Sequence, residues 1–398
     1  MGPTFGGWRL GLAAIVSFVT LGSARRAEAY TWMIGYGHGN CVSCHIDPSG
    51  GGLLTAYGRD EGADVLRTRW SANPDDEALS RRGRFLWGAF NTPDWLLLGG
   101  SFRPAVLITQ VPEPSGGTNS SGQVILMQAD LRAGIRAGGW RTSASIGVIS
   151  NSSYASLAGQ VVSREHWVGY AFDGDAYTLR AGRINLPYGL RIIEHTAWVR
   201  TETRTDINDQ QQHGVAFAYN NQLVRAEVMG ILGNYQINPD AFRERGYSAY
   251  AEVTPHAGYV IGLSSLVTHA AEDIVLHVAN TRQAHGIFAR AAPWTPLVLL
   301  GEADVTIQDP TGGPHATGVA TFLQADVEPL QGLHLIGTGE TWRPGGPETL
   351  TSYGAWGSVD WFIGWHADVR FDYVWRSMTE GAMRLDGTSY LVQLHVYL

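Results

Sequence analysis

Long stretches of this chain alternate between apolar and polar residues, and this alternation constrains the fold more than any other feature. In WHADVRFDYVWR, residues 365–376, apolar side chains occupy every odd position and polar ones all even positions but one. Successive side chains of a β-strand point to opposite faces of the sheet. One face of this segment therefore suits lipid and the other suits water, as in a membrane-spanning β-barrel.

The segment VILMQADLRAGIR, residues 124–136, carries the same pattern. It predicts that Ile125, Met127 and Leu131 share the apolar face, with Asp130 and Arg132 on the polar face. Two further segments, LGEADVT and FLQADVEP, place these residues on the polar face: Glu302, Asp304, Gln324, Asp326 and Glu328.

The connections between these segments alternate between very short and long, as in outer-membrane barrels with short periplasmic turns. A soluble β-sandwich also has alternating strands, but segments of about 10 to 14 residues are long for one. We therefore predict an all-β fold, an antiparallel transmembrane β-barrel of about 16 strands, over residues 84–398, which ends in a closing strand, SYLVQLHVYL. The short connections are residues 137–140, 173–175, 220–221, 255–258, 292–296, 328–332 and 363–366.

Composition removes two other classes of protein. The chain contains 14 Trp and 16 Tyr, whereas disordered chains are poor in aromatic residues. Its formal net charge is −8, and nucleic-acid binding needs a clustered basic face. We expect no nucleic-acid partner.

Residues 1–29 have the features of a secretory signal peptide. Arg9 precedes an apolar run from Leu10 to Leu21, and Ala27-Glu28-Ala29 forms a small-x-small cleavage site. A membrane anchor is the alternative, but the run is shorter than the ~20 residues that a spanning helix needs. We expect export, with Tyr30 first in the mature chain.

The two cysteines of the chain, Cys41 and Cys44, stand in the pattern C-x-x-C-H with His45. A redox pair with this spacing is expected within a βαβ context, and a tetrahedral zinc site needs a fourth ligand. A labile disulfide also stays open. Covalent haem attachment uses all three residues, with both sulfurs on the porphyrin and His45 on the iron. We predict one covalently bound haem c.

The second axial ligand of this haem has two nearby candidates, His38 and Met33, and a histidine elsewhere in the chain is a third option. Residues 30–83 are too few for a haem domain with its own apolar core. We therefore expect a small plug and linker that the barrel shelters, in the lumen or on its periplasmic side. Arg59 is a candidate partner for a haem propionate, or is solvated. Gly50 to Gly52 provide a close turn past the porphyrin or a flexible turn.

The longest connection, residues 186–210, carries many charges. We interpret it as a loop that folds inward and narrows the channel. In the alternative, Glu194, His195 and Asp206 form a transient metal-docking site.

The layout resembles that of the fused monohaem cytochrome–porins of the bacterial outer membrane, known from iron-oxidising bacteria. The resemblance lies in Cys41, Cys44 and His45, with Pro48 and Tyr57-Gly58-Arg59 behind them, and in a barrel of similar size. The iron oxidisers carry a Phe-Ala-Arg-type stretch upstream, where this chain has WMIGYGHGN. The resemblance implies an outer-membrane protein that passes electrons between an extracellular partner, such as iron, and a soluble periplasmic cytochrome.

Electron transfer of this kind needs no catalytic acid, base or nucleophile, so we expect a carrier and not a substrate-converting enzyme. The alternative is a solute-diffusing porin whose haem plug gates the channel or senses redox state. A third hypothesis, a haem peroxidase, requires an open distal position on the iron.

Overall fold

The computed structural model describes residues 30–70, 81–113, 117–150, 157, 159–346, 350–381 and 383–398, so the predicted signal peptide lies outside the described residues. The α-helices in this part of the chain include α1 (Ala56–Val65) and α2 (Trp198–Thr201). Short 3-10 helices span Thr31–Tyr36, Cys41–Ser43, Phe85–Gly88 and Asp240–Phe242. Among the described residues, no helix has the length and apolar composition that a membrane-spanning helix requires.

The strands form one antiparallel sheet that closes on itself, because β1 pairs with β17. Both β4 and β5 pair with β3, so they share one position and the barrel has 16 strand positions. This confirms the predicted fold. The strands are β1 Leu96–Pro112, β2 Thr118–Ala137, β3 Trp140–Ile149, β4 Gln160–Val162, β5 His166–Phe172, β6 Tyr177–Ile184, β7 Gln212–Asn220, β8 Val224–Gly233, β9 Arg245–His256, β10 Tyr259–Ala270, β11 Asn280–Trp294, β12 Leu297–Pro310, β13 Ala316–Leu330, β14 Leu333–Arg343, β15 Leu350–Gly364, β16 Ala367–Glu380 and β17 Met383–Tyr397.

The two faces of the barrel wall have opposite chemistry, as the alternation predicts. On β16, Arg370 is 0% exposed and Asp372 is 1% exposed, whereas Phe371 is 41% and Tyr373 is 40% exposed. Charged side chains therefore point into the lumen and apolar ones point outward. A continuous apolar outer surface is stable in lipid and is the lipid-facing band of an outer-membrane barrel.

The prediction for β2 is wrong at its extracellular half. Ile125 and Met127 are buried in the lumen, whereas Leu131 faces outward. The register between β1 and β2 shifts between Arg103 and Pro104, which leaves Met127 as an extra residue on β2. A bulge of this kind reverses the side-chain parity along the strand, and proline, which has no N–H to donate, is commonly found at such sites.

The seven predicted short connections all lie at the junctions of consecutive strands. The first strand begins at Leu96, so residues 84–95 lead into the barrel and form none of its strands. Nothing in the fold tests a domain boundary at residue 83, which stays a prediction.

Two segments fill the lumen of the described barrel. The first, residues 30–70, is called the plug segment, and the second, residues 185–211, is called the inner loop. Trp32 and Ile34 of the plug segment pack in one buried cluster with Leu190 and Trp198 of the inner loop. This cluster also takes in side chains of the barrel wall: Val260, Phe288, Val298, Leu300, Phe322 and Phe362.

Candidate functional site

The C-x-x-C-H residues are held in a tight turn on the plug segment. The side chain of Asn40 accepts a hydrogen bond from the Val42 N–H (3.1 Å) and caps the 3-10 turn that begins at Cys41. The His45 N–H donates to the Cys41 carbonyl at 2.9 Å. This hydrogen bond holds the His45 backbone one turn after Cys41.

Helix α1 lies directly against this turn. Thr55 caps the helix through the Gly58 N–H (3.1 Å), and its own N–H donates to the Cys44 carbonyl at 2.8 Å. A Cβ on Gly58 would lie only 2.2 Å from the Cys44 carbonyl oxygen. The middle residue of Tyr57-Gly58-Arg59 therefore has to be glycine, because any side chain there would collide with the Cys44 carbonyl.

One cavity unites the predicted site residues. Glycines and apolar side chains contribute much of the wall, including Leu53, Leu54, Ala63, Leu66 and Leu98. The predicted residues that line it are Cys41, Cys44, His45, Met33, His38, Arg59 and Gly50 to Gly52.

The two candidates for the distal ligand both reach this cavity. The His38 ring is held by Glu61, since its Nε2 atom lies 2.9 Å from Glu61 Oε1. Met33 packs against the buried cluster of the lumen. The choice between them stays a prediction.

The three glycines after His45 make a close turn. Their φ angles are 91°, 88° and 68° for Gly50, Gly51 and Gly52. A Cβ on Gly50 would lie 3.0 Å from Cys41 Sγ, and one on Gly52 would lie 2.6 Å from Glu165 Oε1. The positive φ values and these contacts with the plug segment and the barrel wall favour the close turn over a merely flexible one.

Both cysteines carry free, half-buried thiols. Burial, with smaller effects from Cys41 and Glu61, raises the pKa of the Cys44 thiol to about 11. Reactive redox cysteines instead have a lowered pKa in electropositive surroundings. The raised pKa of Cys44 therefore disfavours a thiolate at this residue at neutral pH.

Arg59 is not a freely solvated side chain, because it is hydrogen-bonded to the barrel wall. Its Nη2 donates to the Leu98 carbonyl of β1 at 2.9 Å, and the residue lines the cavity. A pairing of Arg59 with a propionate stays a prediction.

The inner loop folds into the lumen, as its interpretation as a constriction predicts. Glu194 accepts a hydrogen bond from Arg370 of the barrel wall at 2.7 Å, and His195 lies beside Asn208. Within the described residues, no three His, Cys, Asp or Glu side chains are grouped to hold a metal ion. The Glu194 carboxylate thus serves to fasten the loop to the wall.

Three arginines from outside the plug segment line the cavity and were not singled out as site residues in the sequence, namely Arg132, Arg191 and Arg290. Arg132 and Arg290 lie on β2 and β11, and Arg191 lies on the inner loop. Each is far from Cys41 along the chain. No local sequence signal connects these positions, because barrel closure alone brings them together.

Comparison with known proteins supports the barrel. No protein-family model matches the sequence, and no curated protein matches it either. Among solved structures, OmpT of Vibrio cholerae with loop L8 deleted matches with a TM-score of 0.58 at 10% identity, covering 76% of this chain and 99% of that protein. The outer-membrane channel DcaP of Acinetobacter baumannii gives 0.56 at 10% identity, with 78% and 99% covered.

The anion-selective porin from Comamonas acidovorans gives a TM-score of 0.55 at 10% identity, with 76% and 99% covered. At such identities the likeness establishes the fold alone. This chain therefore has the porin-like fold of outer-membrane β-barrels.

Proposed function

We propose that this chain is an outer-membrane cytochrome–porin fusion that holds one covalently bound haem c in the barrel lumen and passes electrons across the membrane. Its partners are an extracellular electron donor or acceptor and a soluble periplasmic carrier. The observation that supports the proposal is the single cavity that gathers Cys41, Cys44, His45, Met33 and His38.

The residues present fit a haem. Both thiols are free to form thioethers, and His45, directly behind Cys44, is the residue that reaches the iron in this motif. A bound haem supplies a one-electron iron centre whose potential depends on its ligands and burial. The chain itself would contribute the two covalent anchors, an axial ligand and a wall rich in glycines and apolar side chains.

The position of the cavity favours exchange with a periplasmic carrier. Part of its lining comes from Tyr397, Leu398, the turn at 364–366 and residues 98–100 near the start of β1. These residues lie at the end of the barrel that carries the short turns, which faces the periplasm in bacterial barrels. The inner loop lies on the other side of the plug segment. Electrons, unlike solutes, need no open water path through such packing.

The alternative is a solute-diffusing porin in which the plug segment gates the channel or senses redox state. The porin-like barrel is all that a diffusion channel requires, and one structural neighbour is described as anion-selective. The buried plug segment and inner loop argue against free diffusion, since Trp32, Ile34 and Trp198 pack directly onto the wall.

Haem attachment is tested by expression with haem-maturation machinery, followed by a denaturing gel stained for haem. The wild type is expected to stain and Cys41→Ser/Cys44→Ser to lose the stain entirely. Ser43→Ala is the matched control, because Ser43 lies between the cysteines and is exposed; it is expected to stain like the wild type. An unstained wild type, with correctly folded barrel, contradicts the proposal.

Electron transfer is then separated from diffusion in liposomes. Vesicles loaded with a soluble cytochrome c receive an impermeant external reductant, and reduction inside is followed by absorbance. The wild type is expected to reduce the enclosed cytochrome, and the double serine variant is not. High ion conductance in planar bilayers, without reduction, would instead favour the diffusing porin.

A further inference from the structure

Arg191 stands opposite the first cysteine of the motif. Gly50 lies between them, because a Cβ on Gly50 would be 3.0 Å from Cys41 Sγ and 4.0 Å from Arg191 Cγ. Arg191 belongs to the inner loop and lines the same cavity as the cysteines. The inner loop thus contributes Arg191 to a site whose cysteines belong to the plug segment.

The guanidinium of Arg191 is buried but incompletely bonded. Its Nε donates to the Ser49 carbonyl at 3.3 Å, whereas Nη1 and Nη2 are buried without a hydrogen-bond partner. The whole residue is only 6% exposed. Burying a charged group without partners costs several kcal/mol, so this arrangement indicates an anion that completes the site.

The nearby carboxylates are engaged by other arginines. Asp47 forms an ion pair with Arg180 at 2.8 Å, and Arg180 also binds Glu227. Glu252 is paired with Arg290 at 2.7 Å. Asp47 and Glu227 share the single Arg180, and each keeps one oxygen without a hydrogen-bond partner. Neither carboxylate is hydrogen-bonded to the terminal nitrogens of Arg191, so a carboxylate that binds both of these nitrogens has to arrive with a ligand.

The other cavity arginines offer a useful contrast. Arg290 Nη2 donates to both Glu252 and the Gly39 carbonyl, and Arg59 Nη2 donates to the Leu98 carbonyl. These interactions occupy terminal nitrogens that a ligand would need. In Arg191 both terminal nitrogens are available as a fork.

We propose that Arg191 binds a propionate carboxylate of the haem through its two terminal nitrogens. A guanidinium presents parallel N–H donors that match the two oxygens of a carboxylate. This inference rests on the proposed function, because the carboxylate belongs to the bound haem. It also gives the inner loop a second role besides narrowing the channel, which is to position the haem.

The test uses Arg191→Gln and Arg191→Lys in the full-length, haem-loaded protein. Arg191→Gln is expected to lower the haem midpoint potential, because an unbalanced propionate charge stabilises ferric iron. It is also expected to shift the propionate bending band in resonance Raman spectra. Arg191→Lys keeps the charge but loses the fork, so its potential should lie between the two. Heat-modifiable gel mobility checks that each barrel is folded.

Arg245→Gln is the control, since Arg245 lies outside the cavity lining and pairs with the exposed Asp240. It is expected to leave the propionate band in place. The proposal is wrong if folded, haem-stained Arg191→Gln keeps both the wild-type potential and the wild-type band, or if Arg245→Gln shifts the band as much as Arg191→Gln does. Absence of haem from the wild type would instead contradict the proposed function itself.

Discussion

The barrel wall and the plug segment are built on different principles. The sequence of each wall strand sets the orientation of that strand, because alternate residues suit the lipid and the lumen. The plug segment has no such pattern and no core of its own. Its apolar residues Ile46 and Leu53 are buried together with Trp167 and Leu266 of the wall. The plug segment therefore depends on the barrel for its fold, whereas the wall is specified strand by strand.

Polar contacts between the two regions decide where the plug segment sits. Asp47 pairs with Arg180 of β6 at 2.8 Å. The Tyr36 hydroxyl donates to Glu328 at 2.5 Å, and the Gly39 carbonyl accepts from Arg290 at 3.1 Å. Breaking a buried ion pair is costly because a charge is left without a partner. These contacts thus define one position of the plug segment in an otherwise wide lumen.

The largest expected effect comes from Arg180→Ala, which separates the plug segment from the wall. The change leaves Asp47 and Glu227 buried without their cation, which costs about 3 to 5 kcal/mol. We expect the plug segment to become sensitive to limited proteolysis while the barrel keeps its heat-modifiable mobility. Arg245→Ala serves as the control, because Arg245 pairs with the exposed Asp240 at 2.8 Å, and should leave proteolysis unchanged. Equal protection of Arg180→Ala and the wild type would show that the plug segment docks without this ion pair.

A charge on the lipid face tests the opposite region. Leu323 is 69% exposed and lies at the middle of β13. Arginine at the bilayer midplane costs a transmembrane barrel about 2 to 4 kcal/mol. Leu323→Arg should lower the free energy of unfolding in urea by this amount in lipid vesicles, with Leu323→Ala as the smaller matched change. An unchanged urea midpoint would contradict a lipid-facing position for this residue.

The smallest expected effect is a pH dependence of the free energy of unfolding, which arises from a residue of the inner loop. Burial, aided by repulsion from Glu340, raises the pKa of Glu202 from 4.5 to about 7. The folded state thus holds a proton that the unfolded state releases, so stability falls as pH rises from about 4.5 through 7. Glu202→Gln should remove this fall and stabilise the protein above pH 7. Urea unfolding at several pH values measures it, and parallel profiles for both proteins would disprove it.

Prediction from sequence succeeded where a residue's role depends on its immediate neighbours. Arg370 and Asp372 face the lumen because they alternate with Phe371 and Tyr373. It failed at Met127, because the bulge forms opposite Arg103 and Pro104 on another strand. Alternation within one segment carries no information about the partner's register.

The sequence by itself determined that this chain forms a closed barrel with a polar lumen, and that Cys41, Cys44 and His45 stand together as a candidate haem site. Both follow from spacing of a few residues, which local backbone geometry converts directly into position. Only the tertiary structure decided that the inner loop covers the plug segment and that Arg191 faces Cys41 across Gly50. Such contacts join residues about 150 apart in the chain, and they exist only because closure of the sheet encloses both segments in one lumen.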